Sequence, residues 1–301
     1  MKEFTVNAND AGQRLDKFVC KVTHNLPLSL LHKYFRKKRI KVNGKRAAFA
    51  DMLVENDVVS LYIGDEFFAQ DKTIPRQVEK PDVVYEDENI LVMYKPVGLP
   101  SHDMAGKDSL VARMLSYLYE TGQYDPAAEQ SFAPALCNRI DQNTIGMVIA
   151  AKNAAALREM NRQIKQRGVQ KYYLCIVQGV LDPPEDTLIG YLVKDHVKNK
   201  VQISQNPDCG GKQIITQYRT IGEKRDTTLA EVLLVTGRSH QVRAHLASIG
   251  HPLLGDKKYG AKSGGGQCLA AYKLVFEFED GMLQYLNKKT LQIDIPFAQS
   301  Y

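Results

Sequence analysis

The chain has 301 residues, 44% hydrophobic and 25% charged, with a formal net charge of +6. That length admits one large core or two domains, and the composition is that of a globular protein rather than a disordered or fibrous one. No apolar run approaches the roughly 18–20 residues needed to cross a bilayer, so no membrane span is expected. The N-terminus, "MKEFTVNAND", carries charge but no apolar stretch and does not read as a secretory signal. Cys20, Cys137, Cys175, Cys209 and Cys268 are scattered singly, without a CxxC pair. This speaks against a disulfide framework and a structural zinc site, and for a reducing, cytoplasmic setting.

In chain order, "QRLDKFVCKVTH" (13–24) places Leu15, Phe18, Val19 and Val22 on one helical face. A second helix is expected over 29–38, with Ser29 as its N-cap. "RIKVNGKRA" then reads as two short strands around an Asn43-Gly44 turn, and "VENDVVSLYI" as a further turn and strand. Residues 32–46 hold Lys33, Arg36, Lys37, Lys38, Arg39, Lys41, Lys45 and Arg46 with no acid among them. Such a run is commonly a solvated face. Eight cations without a counter-charge repel one another, however, and a polyanion relieves the repulsion, so a nucleic-acid surface is the favoured reading.

After Gly64, "DEFFAQDKTIPRQVEKPD" mixes charges without periodicity and reads as a linker over 64–82. Strands are expected at 83–86, 90–94, 146–151, 172–177, 229–235 and 273–278, and helices at 108–120, 153–167 and 239–249. Spacings too short for repeated βαβ units point to an α+β fold: a small N-terminal α/β module (12–63), then a mixed, mainly antiparallel sheet flanked by helices (83–301).

Four stretches carry potential chemistry. In "CNRIDQNTIGMVIAAKN" (137–153), Arg139 and Asp141 stand at the mouth of an apolar strand. A carboxylate there needs a cationic neighbour to stay ionised, and two residues along an extended backbone would put Arg139 on the same side. The plain alternative is a turn aspartate satisfied by local N–H groups. In "VTGRSHQVRAHLASIGHPLLGDKKYG" (235–260), Arg238, His240, Arg243 and His245 crowd a strand-to-helix turn whose free N–H groups suit phosphate. Arg243 lies one turn further on, within reach of a buried carboxylate. His240, His245 and His251 lack HExxH spacing and have no acid inside 237–251, so a metal site is not expected. "KPVGLPSH" (95–102) is a Lys-Pro pair followed by a structure-breaking glycine, equally an ordinary strand-ending loop. "KYYLCIVQG" (171–179) is a strand with adjacent tyrosines, one of which must point away from the core; taken locally, Tyr173 reads as a core or cross-strand aromatic.

Together these stretches resemble the RluA family of pseudouridine synthases. "NRIDQNTIG" is similar to that family's H-R-L-D-x-x-T-S-G signature, "KYY" to its K-x-Y, and "TGRSHQVRAHLASIGHPLLGD" to its third motif, in the same order. Residues 12–63 resemble the ribosomal-S-four-like RNA-binding domain found in many members. The resemblance implies the pseudouridine synthase fold and an isomerase acting on uridine in RNA. It further implies Asp141 as the catalytic aspartate, Arg243 as its basic partner, and Tyr173 packed against the target base. Arg139 would enter the base stack as the nucleotide is extruded. Asn138, Ile140 and Ile145 depart from the pattern, where His, Leu and Ser stand in the family; they bear on the RNA partner more than on the chemistry.

The reaction cuts the bond from ribose to ring nitrogen, turns the uracil over and rejoins it through carbon 5. Reactant and product have the same composition and oxidation state, so no cofactor is expected, and no GxxxxGK[ST] or dinucleotide loop is present. The expected partner is RNA, large-subunit ribosomal RNA first and transfer RNA as the alternative, with no membrane and no metal; a monomer is the default. The rival from another class is a non-catalytic RNA-binding or ribosome-assembly factor on the same fold, marked by loss of the aspartate. A nuclease or methyltransferase is the second rival; "SGGG" (263–266) follows no convincing strand and reads as a flexible loop rather than a cofactor site.

Overall fold

A computed structural model describes residues 1–68, 78–102, 108–195, 200–262 and 265–301, and two separate sheets organise them. The smaller contains β1 (Lys2–Thr5), β2 (Ile40–Val42), β3 (Lys45–Arg46) and β4 (Val58–Leu61), in the antiparallel order β1-β4-β2-β3. Asn43 and Gly44 join β2 to β3 at φ values of 51° and 72°, the left-handed pair that a two-residue hairpin demands. Helices α1 (Leu15–Val22) and α2 (Leu28–Arg36) bury Phe18, Val19, Leu31 and Phe35 in one cluster with Val59 and Leu61.

Ser29, expected to cap α2, is instead its second residue. Pro27 holds the capping position and no side chain caps the helix. The ring already sets φ near the observed −63° and brings no N–H that needs a partner. Strand β1 joins this sheet from upstream of the segment 12–63. Of the expected linker 64–82, Asp65–Phe67 form a 3₁₀ turn, 69–77 lie outside the described residues, and Asp82 opens the larger sheet. The expected flexible loop 263–266 likewise falls partly outside them, at 263 and 264.

The larger sheet is built from β5 (Asp82–Glu86), β6 (Ile90–Lys95), β7 (Ala135–Leu136), β8 (Ile145–Ala151), β9 (Val169–Gln178), β10 (Glu185–Asp195), β11 (Lys200–Ser204), β12 (Lys212–Lys224), β13 (Thr227–Leu234), β14 (Leu269–Phe276) and β15 (Thr290–Gln292). Its path is β11-β10-β12-β13-β9-β14-β8-β6-β5, with β15 on β14 and β7 on β8. Among the described residues, β8 and β14 form its one parallel pair. Three helices pack on it: α3 (Leu110–Glu120), α4 (Ala154–Lys165) and α5 (Gln241–Ser248). The mixed, mainly antiparallel α+β arrangement is the one expected.

Strands β6 and β8 read as continuous apolar runs because both their faces are covered. Leu91, Met93, Val148 and Ala150 face Leu110, Met114 and Leu118 of α3. Ile90, Val92, Met147 and Ile149 face Ala156 and Met160 of α4. Complete burial of each leucine, isoleucine, valine or methionine among them contributes about 1.5–3 kcal/mol. Ser109 and Asn153 cap α3 and α4, accepting the Ala112 and Ala156 N–H groups at 3.1 and 2.8 Å.

At the parallel seam Gly146 lies opposite Ala271 with φ of 115°, and a Cβ there would lie 2.2 Å from the Ala271 carbonyl oxygen. Only glycine accepts both that dihedral and that approach. The two sheets are also linked, through polar contacts. Asn9 donates to Glu129 Oε1 at 2.6 Å and accepts from the Ala154 N–H at 3.0 Å, while Gln13 donates to Ser131 Oγ at 2.8 Å.

Candidate active site

Asp141 sits in the loop between β7 and β8, where its carbonyl accepts from the Thr144 N–H at 3.0 Å. A neighbouring loop, 96–101, braces this one. The Gly98 N–H donates to the Gln142 carbonyl at 3.0 Å, Gln142 Nε2 donates back to the Gly98 carbonyl at 2.9 Å, and Ser101 Oγ donates to the Ile140 carbonyl at 2.9 Å. At the end of β6, Lys95 is completely buried, and its ammonium donates at 2.8 Å to the carbonyls of Pro96, Leu99 and Gln142. Three acceptors use all three ammonium protons. Burial pulls this lysine down to about 8, against the pull of the Asp141 charge.

The cation facing Asp141 comes from α5. Arg243 Nη1 donates to Asp141 Oδ2 at 2.9 Å. The other edge of the same guanidinium grips Asp256, Nε to Oδ2 at 2.6 Å and Nη2 to Oδ1 at 2.9 Å. Asp256 is 3% exposed and Arg243 7%, so the triad is shielded from solvent on its Asp256 side. Burial works against the guanidinium's charge, but the bonds to Asp256 and Asp141 outweigh it and hold Arg243 above its ordinary value. His240, at the start of α5 with φ of 59°, brings Nε2 to 3.7 Å from the same Oδ2 and pairs Nδ1 with the Tyr259 hydroxyl at 2.9 Å. Burial lowers its imidazole below the usual range, against the pull of Asp141. The Tyr259 ring lies 5.0 Å from the Arg243 guanidinium carbon.

Tyr173, on β9, points to the α5 side of the sheet and is 6% exposed; burial first, then the Asp141 charge, pushes its hydroxyl up. Tyr172 points to the opposite face, as strand alternation requires, and is half-buried against the C-terminal segment around Ile295. Asp141, Tyr173 and Arg243 line one cavity of about 680 Å³. A second, of about 810 Å³, shares Arg139, Asp141, Arg238 and His240 with the first. Asp141 is the one acid lining either cavity among the described residues, whereas Lys165, Arg167 and Lys171 line the first and Lys194, Lys200 and Lys212 the second.

The structure therefore brings Asp141, Tyr173, Arg243, Arg139, Arg238 and His240 to one place. Arg139 does not pair with Asp141 as its spacing suggested. Residues 137–144 form a loop rather than a strand, so two-residue alternation does not apply, and Arg139 Nη2 donates to Ser239 Oγ at 2.7 Å. Lys33, Arg36, Lys37, Lys38 and Arg39 are exposed on or just after α2, away from these cavities, and Lys41 lies on β2 with its ammonium 5.3 Å from the Tyr62 ring. The three histidines of the third motif diverge: His240 meets Tyr259, His245 meets Thr216 and His251 meets the Gln178 carbonyl. Lys95, Asp256 and Tyr259 went unassigned by sequence reasoning. A lysine that continues a doubly buried strand must be satisfied internally, and that signal was available in "ILVMYKP".

The chain is similar to several known proteins. A family model described as RNA pseudouridylate synthase matches residues 89–248. The chain is 31% identical to an uncharacterized RNA pseudouridine synthase of Mycoplasma capricolum, over 97% of each chain. It is 30% identical to the ribosomal large subunit pseudouridine synthase C of Vibrio cholerae, over 85% of this chain and 79% of the relative. The fold is shared with human RNA pseudouridylate synthase domain containing 4, at a TM-score of 0.57 and 21% identity over 71% of this chain and 88% of that one. By the extent of these matches the chain belongs to the RNA pseudouridylate synthase family, in the RluA branch that its motifs resemble, and is an isomerase that converts uridine to pseudouridine in RNA.

Proposed function

We propose that this enzyme modifies specific uridines of large-subunit ribosomal RNA, with Asp141 as the reacting carboxylate. The observation that carries the reading is the pairing of Asp141 with Arg243 at 2.9 Å in a cavity that Tyr173 also lines. The charge-assisted bond from Arg243 holds the carboxylate in one orientation, and an oriented carboxylate is what attack on the nucleoside or proton removal from it requires. The target uridine leaves its stack at a cost of a few kcal/mol. Stacking on an aromatic ring such as Tyr173 returns about 1–3 kcal/mol, and Arg139, at the mouth, fills the vacated position in the helix. The basic lining of both cavities suits the flanking phosphates. The exposed cations of α2 form a second RNA surface on an S-four-like module.

The substrate assignment draws on the Vibrio cholerae relative, whose name specifies the ribosomal large subunit. It implies a cytoplasmic site of action. Pseudouridine mapping in cells with and without the gene tests it: the expected result is one or a few large-subunit uridines that lose modification. Losses confined to transfer RNA would overturn the assignment while leaving the activity. Asp141→Asn is expected to abolish product in vitro, and a variant as fast as wild type would remove Asp141 from the chemistry.

A further inference from the structure

We infer that Asp256 is a positioning residue for the reaction, gripping the Nε/Nη2 edge of Arg243 so that the guanidinium is shared between two carboxylates and meets Asp141 through Nη1 alone. The inference rests on the reading of Asp141 as the reacting carboxylate. A guanidinium offers planar forks, each able to grip a carboxylate through both oxygens. Here the Nε/Nη2 fork is taken by Asp256 at 2.6 and 2.9 Å, and Nη1 alone reaches Asp141. The contacts of Arg243 and His240 with Asp141 both fall on Oδ2.

This arrangement has a chemical purpose. A carboxylate locked in a two-pronged ion pair has its charge neutralised and its lone pairs occupied, and is a weak base and a weak nucleophile. Sharing one cation between two carboxylates leaves the pair with a net negative charge, so Asp141 is held charged without being quenched. Asp256 also fixes the guanidinium plane, which aims Nη1. Its backbone bonds, from its N–H to the Leu253 carbonyl at 3.0 Å and from the Tyr259 N–H to its own carbonyl at 3.0 Å, close the turn independently of the carboxylate. A change of side chain therefore acts on Arg243 while the turn keeps its own bonds.

The groups facing Asp141 are Arg243 from α5, His240 at its start, Tyr173 from β9, Lys95 from β6 and Tyr259; those facing Asp256 are Arg243, His240 and Tyr259. Of these, Asp256→Asn alters the charge of none, but it removes the carboxylate that shares and orients the Arg243 guanidinium. The test uses the full chain and an unmodified large-subunit ribosomal RNA transcript. Asp256→Asn is expected to lower kcat by about tenfold or more with RNA affinity unchanged. The acid limb of its pH–rate profile is expected to move to lower pH, because Asp141 then faces the whole of the Arg243 charge. A kcat and an acid limb both like wild type would overturn the inference, and so would a lower kcat with the limb unmoved, which a merely structural role produces. Asp256→Glu retains the charge on a longer stem: its limb should stay in place while kcat falls, and a wild-type kcat would count against the inference even if the asparagine variant does not fold. Absence of product from the wild-type protein would instead strike at the reading of the site itself.

Discussion

Arg243 Nη1 and Asp141 Oδ2 meet at 2.9 Å across 102 residues of chain. One belongs to α5, the other to the loop before β8, and the larger sheet that carries both elements brings them together. Removing the guanidinium in Arg243→Ala leaves Asp141 and the buried Asp256 without a cation, an expected cost of about 3–5 kcal/mol in stability together with loss of activity. Arg243→Lys keeps the charge but not the fork, and should restore much of the stability and little of the turnover. Chemical denaturation and single-turnover assays on both variants separate the two effects.

Tyr173 offers a ring and a buried hydroxyl. If stacking is its contribution, Tyr173→Phe should bind RNA as wild type does, and Tyr173→Leu should lose about 1–3 kcal/mol of affinity, roughly 5- to 150-fold. Binding measured in an Asp141→Asn background, where no turnover intervenes, decides between the ring and the hydroxyl.

His245 is 1% exposed and bonds to Thr216 Oγ1 at 2.9 Å, and burial drops it to about 4. Below its ordinary pKa of about 6.5 the unfolded chain takes up a proton that the folded chain refuses, so stability falls as pH drops from about 6.5 to about 4. The share owed to this one group is on the order of 3 kcal/mol. Replacement by Gln, which titrates nowhere in that window, should flatten the acid dependence by that amount; denaturant midpoints at pH 7 and pH 4.5 measure it.

Lys95 gives the opposite limb. With its folded value near 8, the unfolded chain binds a proton between about pH 8 and 10.5 that the folded chain releases, and the lysine's contribution to unfolding free energy rises across that window. Lys95→Met should abolish the rise and, by freeing three carbonyls, loosen the Asp141 loop; hydrogen exchange at Gly98, whose N–H bonds the Gln142 carbonyl, reports the loosening.

On α2 and just beyond, Lys33, Arg36, Lys37 and Lys38 are exposed. Substituting all four by Ala should reduce the slope of log affinity against log salt by about 0.7–0.9 for each phosphate no longer neutralised, up to about 3.6 in total, without altering kcat. This variant is preferable to deleting residues 1–64, because Asn9 and Gln13 bond to the larger sheet's domain.

Much of this was legible beforehand, for reasons that differ by element. The apolar runs of β6 and β8 and the face of α1 announced themselves because burial on a fixed period leaves a pattern. Strands β10 and β12 did not, because one face of each is wet: "KQIITQYRTIGEK" alternates exposed and buried residues and has no apolar run to mark it. The partner of Asp141 could be guessed from a motif, but its partition between two carboxylates could not, since Asp256 lies in a turn whose approach to Arg243 depends on the whole α5 region. Arg139 was misplaced for a local reason, a strand rule applied to a loop. Lys95 was passed over because "KPVGLPSH" reads equally as a strand-ending loop, although a lysine continuing the apolar run of "ILVMYKP" marks a cation that must be satisfied internally.

The bare hydrogen of Gly146 has a wider reach than its size suggests. Strand β14 is stitched to β9 on one flank and β8 on the other, so a methyl group at 146 would pry the latter flank open at Ala271. Tyr173 travels with β9 and Asp141 is tethered to the start of β8; a wedge there would widen the gap between the aromatic ring and the carboxylate before any residue of the cleft had been touched.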